Sequence, residues 1–247
     1  MKNFYLFIVC VSLVFSKSNG STVSLKTTET TSEKHISFSE SITKISLEND
    51  VGDVVIKKGD SFGCTAKKVK FHKQCQLDFK VKDQTLYIKA GRKSSKDCRI
   101  DFNIETPKRC DVHINLGVGN SMIKHANSLT LDVGAGDLTA VGLKNLTANL
   151  GVGDVKVSDI EDKVLVRLGS GNIILAYEAL KTTPAIDVKV GAGTVKVLLP
   201  SNATFVPNLL IPPVVVAVKN DFSRKKSLPN LKVTIEMGVG EIALQKQ

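Results

Sequence analysis

The stretch TANLGVGDVKV, residues 147–157, decides the fold, because it places Gly-x-Gly-Asp between two alternating strand patterns. The Gly-x-Gly element occurs six times, and its first glycines lie 17, 17, 18, 22 and 47 residues apart along the chain. Such self-similarity at a fixed interval is typical of repeat architectures. The twelve glycines of the six copies are Gly117, Gly119, Gly134, Gly136, Gly151, Gly153, Gly169, Gly171, Gly191, Gly193, Gly238 and Gly240.

A chain that bends in the same way every 17 or 18 residues winds into coils, and equivalent strands then stack in parallel about 4.8 Å apart. The repeat therefore predicts an all-β fold, a right-handed-type parallel β-solenoid, with an antiparallel sandwich as the alternative. The glycines are expected at bends, where a positive φ or a close backbone approach excludes a Cβ. Residues between paired glycines, such as Val118 and Val152, are expected to face a narrow core. The Asp or Asn after each copy is expected to bond local backbone amides.

The N-terminus has the pattern of a secretory signal peptide over residues 1–20: a basic start, an apolar stretch from 4 to 15, and small polar residues from 16. Cleavage is expected after Gly20, with Ser18 as the alternative. Residues 21–34 are rich in Ser and Thr and predict a flexible spacer. Residues 35–247 are predicted to form one solenoid domain, and its 47-residue interval has room for a further coil. The protein is expected to be exported, in the periplasm, on the cell surface or secreted, without a transmembrane segment.

Four cysteines remain after removal of the signal peptide: Cys64, Cys75, Cys98 and Cys110. In an oxidising compartment, an even number of clustered cysteines predicts two disulfides. Free thiols and a zinc site are the alternatives, although the gaps lack the short knuckle of a zinc centre. The connectivity stays open, except that a hairpin of 62–69 with 75–82 would disfavour a bond between Cys64 and Cys75.

Positive charge is concentrated in the cysteine-bearing segment 54–110, which carries 15 basic and 6 acidic residues. Alternation predicts that lysines share strand faces there, with Lys68 and Lys70 opposite Val69, and a hairpin over 76–90 turning at 82–84. Stacked strands would bring such lysines together into a cationic surface for an anionic polymer or membrane surface. The alternative is that they only protect strand edges. The candidate anion-binding residues are Lys67, Lys68, Lys70, Lys73, Lys80 and Lys82.

No arrangement of residues in the sequence indicates catalysis, a metal site or a cofactor. The four histidines occur singly, without metal-ligand spacing, and no G-x-S-x-G elbow occurs. The chain contains no Trp, and its basic segment lacks the interleaved aromatics of single-strand nucleic-acid binders, so nucleic acid is not an expected partner.

The repeats, the segment LPSNATF at 199–205 and the closing GVGEI at 238–242 resemble the bacterial "putative adhesin" family of exported β-helical domains. The resemblance extends over about residues 36–247. It implies a β-helical fold and an adhesin-like role at the cell envelope, while many members of that family have no known function. The four-cysteine segment and the 47-residue interval do not match the family pattern.

We therefore expect an exported, non-enzymatic binding module of the cell envelope or surface. Two alternatives stay open. One is a polysaccharide-acting β-helix enzyme, which the scarcity of aromatics and of convergent carboxylates disfavours. The other is a purely structural envelope subunit.

Overall fold

The computed structural model describes residues 9–10, 17–18, 21–22, 25–30, 32–38, 41–92, 98–180, 184–212, 216–222 and 230–247, and side chains from residue 27 onward. Within these ranges the chain is built from β-strands and contains no helix. Twenty of the described strands form one large mixed sheet, and two short ones pair with each other. The expected all-β class is confirmed. The expected signal peptide falls largely outside the described residues.

The strands vary from two to fifteen residues, and the longest belong to the last three Gly-x-Gly copies. In chain order they are β1 (Val9–Cys10), β2 (Lys17–Ser18), β3 (Ser21–Thr22), β4 (Leu25–Glu29), β5 (Glu33–Phe38), β6 (Lys44–Val51), β7 (Val54–Lys58), β8 (Gly63–Lys70), β9 (Cys75–Lys82), β10 (Thr85–Arg92), β11 (Arg99–Thr106), β12 (Cys110–Val118), β13 (Ser121–Ile123), β14 (Ala126–Ala135), β15 (Leu138–Val141), β16 (Asn145–Val152), β17 (Val155–Ser158), β18 (Lys163–Ala176), β19 (Ala185–Leu199), β20 (Asn208–Leu210), β21 (Val216–Asn220) and β22 (Lys232–Lys246).

Two parallel ladders run through the repeat region, one on each side of the Gly-x-Gly bends. The first ladder joins β6, β12, β14, β16 and the front halves of β18, β19 and β22. The second ladder joins β7, β13, β15, β17 and the back halves of the same three long strands. Sequence positions 17 or 18 residues apart lie side by side in both ladders, as in the pairing of Leu129 with Leu146 and of Leu146 with Val164.

Alternate residues of both ladders are buried, as the period-two pattern predicts. One column of the first ladder consists of Ile45, Val112, Leu129, Leu146, Val164, Ile186 and Val233, all buried. Leu86 of β10, paired with Ile45, is buried at its end. A matching column of the second ladder consists of Val54, Ser121, Leu138, Val155, Ile173, Val195 and Ile242. The apolar members of both columns belong to one hydrophobic cluster, so the two ladders share a core.

The glycines at the bends lie against one another, copy upon copy. The second glycine of each copy has a φ between 139° and 150°. A Cβ added to Gly136 would lie 1.9 Å from the carbonyl oxygen of Gly119, and one added to Gly153 would lie 1.9 Å from that of Gly136. Both the backbone conformation and the space at these positions therefore require glycine.

The Asp and Asn residues that follow the bends bond the next copy rather than their own turn. The Oδ1 of Asn120 accepts from the backbone N–H of Asp137 at 2.9 Å, and the Oδ1 of Asp137 accepts from that of Asp154 at 2.8 Å. The Oδ1 of Asp154 in turn accepts from the N–H of Asn172 at 2.8 Å. The expectation of bonds to local amides is wrong here, because the backbone amide aligned with each side chain belongs to the adjacent strand.

This side-chain ladder predicts a measurable loss of stability when one acceptor is removed. Asp154→Ala leaves the N–H of Asn172 and its Nδ2, 3.0 Å from Asp154, without their acceptor. We expect it to lower the free energy of unfolding by about 1 kcal/mol, measured by urea denaturation. Asp154→Asn keeps an oxygen at the same place and should stay close to the parent. If the Asn variant loses as much as the Ala variant, the carboxylate charge, and not the acceptor, is what stabilises the bend.

The residue between the paired glycines points outward, and the expectation that it faces the core is wrong. Val118, Val152 and Val239 are 52%, 58% and 48% exposed. The buried apolar residues are instead the ones before the first glycine, such as Leu116 and Leu150. The close stacking of the glycine backbones leaves no inward space for a side chain at the bend.

The cysteine-bearing segment differs from the repeats because most of its strands pair antiparallel. Strand β8 pairs with β5 and β11, and β9 pairs with β10. The hairpin expected over 76–90 is present as β9 and β10, with Asp83 and Gln84 at positive φ in the turn. Parallel pairing of β10 with β6 and of β11 with β7 attaches this segment to the two ladders.

One disulfide joins Cys75 to Cys98, 23 residues apart. The prediction of two disulfides is wrong, because Cys64 and Cys110 are free and buried. Cys64 lies within β8, opposite Ile36 and Ile104. The thiol of Cys110 lies at the start of β12, 3.3 Å from the carbonyl oxygen of Ile42. The two thiols therefore occupy separate core positions on strands that do not pair with each other.

Within the 47-residue interval, β20 and β21 pair in parallel with β22. They lie on the side of β22 opposite β19, so the last strand of the chain lies between the fifth Gly-x-Gly copy and this added layer. The interval thus contains further strands without the glycine pattern. Leu210 and Val218 of this layer are exposed, as is Val206 shortly before β20.

Candidate functional site

The six candidate lysines lie on two strands and the turn between them. Lys67, Lys68 and Lys70 belong to β8, Lys73 to the following turn, and Lys80 and Lys82 to β9. Lys80 and Lys82 are exposed on either side of the buried Val81, which agrees with the expected alternation.

The structure does not bring these lysines together into one cationic sheet surface. The neighbours of β8 are β5 and β11, whereas β9 pairs with β10. Lys67 has the acids Glu33 and Asp101 as its cross-strand partners. Lys80 lies opposite Tyr87 and Lys82 opposite Thr85. The expectation of lysines stacked on neighbouring strands is therefore wrong, because β8 and β9 belong to different parts of the sheet.

Lys68 does not belong to the exposed set. Its side chain is 7% exposed, and its ammonium lies 2.5 Å from a carboxylate oxygen of Glu29 and 4.9 Å from the centre of the Phe71 ring. Partial burial tends to raise the pKa of Glu29, but the hydrogen bond from Lys68 and the charges of Lys34 and Lys68 outweigh it and lower the pKa. The expected alternation is lost at the end of β8, since Val69, Lys70 and the following Phe71 are all exposed.

The other five lysines are exposed, and none of them forms an ion pair within the described part of the chain. These are Lys67, Lys70, Lys73, Lys80 and Lys82. Among the remaining lysines of the segment, Lys57 is paired with Glu105 and Lys89 with Glu48. Five ammonium groups are thus available to a ligand, spread over two strands and a turn rather than concentrated on one face.

A shallow open groove of about 820 Å³ crosses the first ladder beside the glycine bends. Its floor contains the first glycines of five copies and the residues before them, such as Leu116 and Leu150. One row of polar side chains accompanies it, each two residues before a first glycine: Asn115, Asp132, Asn149, Arg167 and Lys189. Within this row, the Nδ2 of Asn149 donates to Asp132 at 2.7 Å, and Lys189 forms a 2.7 Å ion pair with Glu236.

This row of polar side chains is not apparent from the sequence. The five residues share one feature in the sequence, their constant position two residues before a first glycine. Their types differ from copy to copy, so the same functional group does not recur at that position. Only the register of the ladder places them in line.

A second cavity, of about 310 Å³, lies where several strands end near the disulfide. Its lining consists of Val51, Val69, Lys70, Arg92, Cys98 and Arg99. The two arginines were not among the predicted residues, although both belong to the basic segment and Arg99 directly follows a cysteine. Pairing of β8 with β11 brings Arg99 to Lys70, and the disulfide holds Cys98 beside Cys75, the strand partner of Arg92. The spacing of these residues along the sequence predicts neither contact.

The free thiols are poor nucleophiles. Complete burial raises the pKa of Cys64 far above its usual range, and burial together with the charge of Asp111 raises that of Cys110 to about 11. Neither thiol has appreciable thiolate character at neutral pH.

Among the described residues, no group of three or more His, Cys, Asp or Glu side chains is arranged to hold a metal ion. In the same part of the chain, no helix is long and apolar enough to cross a membrane.

No protein-family model matches the sequence, and no curated protein is similar to it at a significant level. Three solved structures that it resembles are described as adhesins. A "putative cell adhesion protein" from Clostridium sporogenes has 16% identity and a TM-score of 0.43, over 87% of this chain and 99% of that one. A "putative adhesin" from Bacteroides fragilis has 17% identity and a TM-score of 0.47, and the match covers 87% of this chain and 98% of that one. A "putative adhesin" from Parabacteroides distasonis has 14% identity and a TM-score of 0.37, and the match covers 86% of this chain and 95% of that one. At such identities and TM-scores, the similarity assigns no function to this chain.

Proposed function

We propose that this chain is an exported, non-enzymatic, adhesin-like module that holds an anionic polymer at the cell envelope or surface. The observation that carries the proposal is the set of exposed lysines without ion-pair partners in segment 54–110, described above. Export is supported by the pattern of residues 1–20, which has the basic, apolar and small-residue parts of a signal peptide.

The repeat region is proposed to wind as a parallel β-solenoid. Two parallel ladders with a 17- or 18-residue register support this, as do the stacked glycines at each bend. A scaffold of this kind presents long rigid faces and has its backbone groups paired along the ladders. Ligand contacts then come from side chains, many of them weak, rather than from one enclosed catalytic pocket.

The test is retention on immobilised polygalacturonate, a polymer of uronic acids, at low salt. The variant Lys67→Gln/Lys70→Gln/Lys80→Gln/Lys82→Gln should lose retention while keeping the parent's melting temperature. Lys68 is left intact because its ion pair with Glu29 stabilises the fold. Binding of the parent should weaken steeply with added salt, since exposed charges are screened beyond about 8 Å at physiological ionic strength.

The matched control replaces four exposed lysines of the repeat region by Gln: Lys124, Lys144, Lys156 and Lys163. It removes the same net charge and should retain most of the binding. Equal loss in both variants would show that only overall charge matters. Equal retention of the parent and the first variant would leave these lysines as protection of strand edges and contradict the proposal.

A further inference from the structure

The 310 Å³ cavity beside the disulfide combines three cations with apolar walls. Lys70, Arg92 and Arg99 contribute the charges, while Val51 and Val69 contribute aliphatic surface. Its volume is near the lower end of the range of small-molecule pockets, about 300–1,000 Å³. A group of the size of one sugar residue fits within it, whereas an extended chain does not.

Two of the cations stand on directly paired backbone positions and line the same cavity. Arg99 in β11 is the cross-strand partner of Lys70 in β8. Like charges at directly opposed positions of an antiparallel pair repel each other, so an anion between the two groups would relieve that repulsion. Within the described residues, Lys70 has no carboxylate partner.

A β-bulge creates this juxtaposition. Ile100 pairs with Lys68, but Arg99 pairs with Lys70, so Val69 is left without a partner in β11. In regular pairing, Val69 would lie opposite Arg99 and the like charges would be apart. Bulges re-aim side chains and occur frequently beside functional sites.

The two arginines are held in place by acids on their outer side. Arg99 forms ion pairs with Asp53 at 2.8 Å and with Asp101 at 3.2 Å, and Arg92 lies 3.8 Å from Asp50. These three acids offset the charge of the two guanidinium groups and also restrain them, so the uncompensated positive charge of the cavity is that of Lys70. A guanidinium has five N–H donors, so both keep donors for a ligand, and Lys70 keeps its whole charge.

We propose that this cavity binds the carboxylate or sulfate group of an acidic sugar, with Lys70 and Arg99 on either side of the anion. The sugar ring would lie against Val51 and Val69. This inference rests on the proposed function, since it names the point at which an anionic polymer is held. It also explains why the disulfide is next to the cavity: Cys98 lines it and the bond restrains the chain just before Arg99.

The experiment is a titration of the full mature protein with sodium glucuronate, sodium sulfate and glucose, followed by NMR chemical shifts. We expect saturable one-to-one binding of glucuronate or of sulfate and none of glucose; the two anions distinguish a carboxylate from a sulfate as the natural group. Lys70→Gln should weaken that binding about tenfold, the effect of one lost charged hydrogen bond. Arg92→Gln is a second variant, expected to act in the same direction.

Lys156→Gln is the matched control, because this lysine is exposed on β17, lies outside the proposed lysine set and does not line the cavity. It should bind both anions like the parent. The inference is overturned if neither anion saturates, if glucose binds as well, or if Lys70→Gln and Lys156→Gln are indistinguishable. Retention on polygalacturonate without saturable binding of small anions would overturn the cavity alone. Saturable binding that depends on Lys70, without retention on the polymer, would support the cavity and contradict the proposed function.

Discussion

Replacing Gly136 by alanine should lower the free energy of unfolding by about 3–5 kcal/mol, at the upper end of single-residue effects. The new Cβ would lie 1.9 Å from the carbonyl oxygen of Gly119, a contact that no rotamer can relieve because the backbone fixes the positions of both atoms. The φ of 145° adds conformational strain for any residue with a side chain. Because the free energy of unfolding of a typical protein is about 5–15 kcal/mol, this single substitution should remove a large part of it.

The control for this variant is Gly63→Ala in β8. A Cβ there would meet only His35 Cε1 at 3.6 Å and the Ile36 oxygen at 3.8 Å, which are ordinary contacts, and the φ is not positive. The free energy of unfolding should then change by less than about 1 kcal/mol. Urea denaturation of both variants decides the point. If Gly136→Ala unfolds at the same urea concentration as Gly63→Ala, the glycines do not hold the bends together.

Reduction of the Cys75–Cys98 disulfide should cost about 3.5 kcal/mol, the chain-entropy value for a loop of this length. The closed loop contains the β9–β10 hairpin, so its release frees the end of the sheet and the walls of the 310 Å³ cavity. We expect a clear fall in melting temperature on addition of a reductant, measured by circular dichroism. The double variant Cys75→Ser/Cys98→Ser should melt at the lower temperature with or without the reductant.

A melting temperature of the parent that does not respond to reductant would contradict this expectation. The same experiment separates the two kinds of cysteine. Cys64 and Cys110 are buried, so a thiol reagent should modify them only in the unfolded protein. Two modified thiols after unfolding without reductant, and four with it, would agree with one disulfide and two free cysteines.

The candidate site was predictable only in part, and the reason lies in strand pairing. Lys80 and Lys82 are exposed as the alternation predicts, because β9 keeps a regular period of two. Lys68 is turned inward onto Glu29, because β8 has a bulge at Val69. The strands that flank β8, which are β5 and β11, cannot be predicted from the local alternation. Arg92 and Arg99 join Lys70 across three strands and a disulfide, so no local pattern marks them as a group.

The sequence by itself determined the strands, the bends and their interval. Alternation encodes which face of a strand is buried, and Gly at 136 or 153 marks a bend with a positive φ; both are local properties of the chain. Tertiary structure alone decided which strand lies beside which. It set the side-chain ladder from Asp154 to the amide of Asn172, the outward position of Val152, the Cys75–Cys98 disulfide and the pairing of Lys70 with Arg99. These depend on register between segments 17 or more residues apart, and the free energy that selects a register comes from the packing of the whole core rather than from any one stretch of the chain.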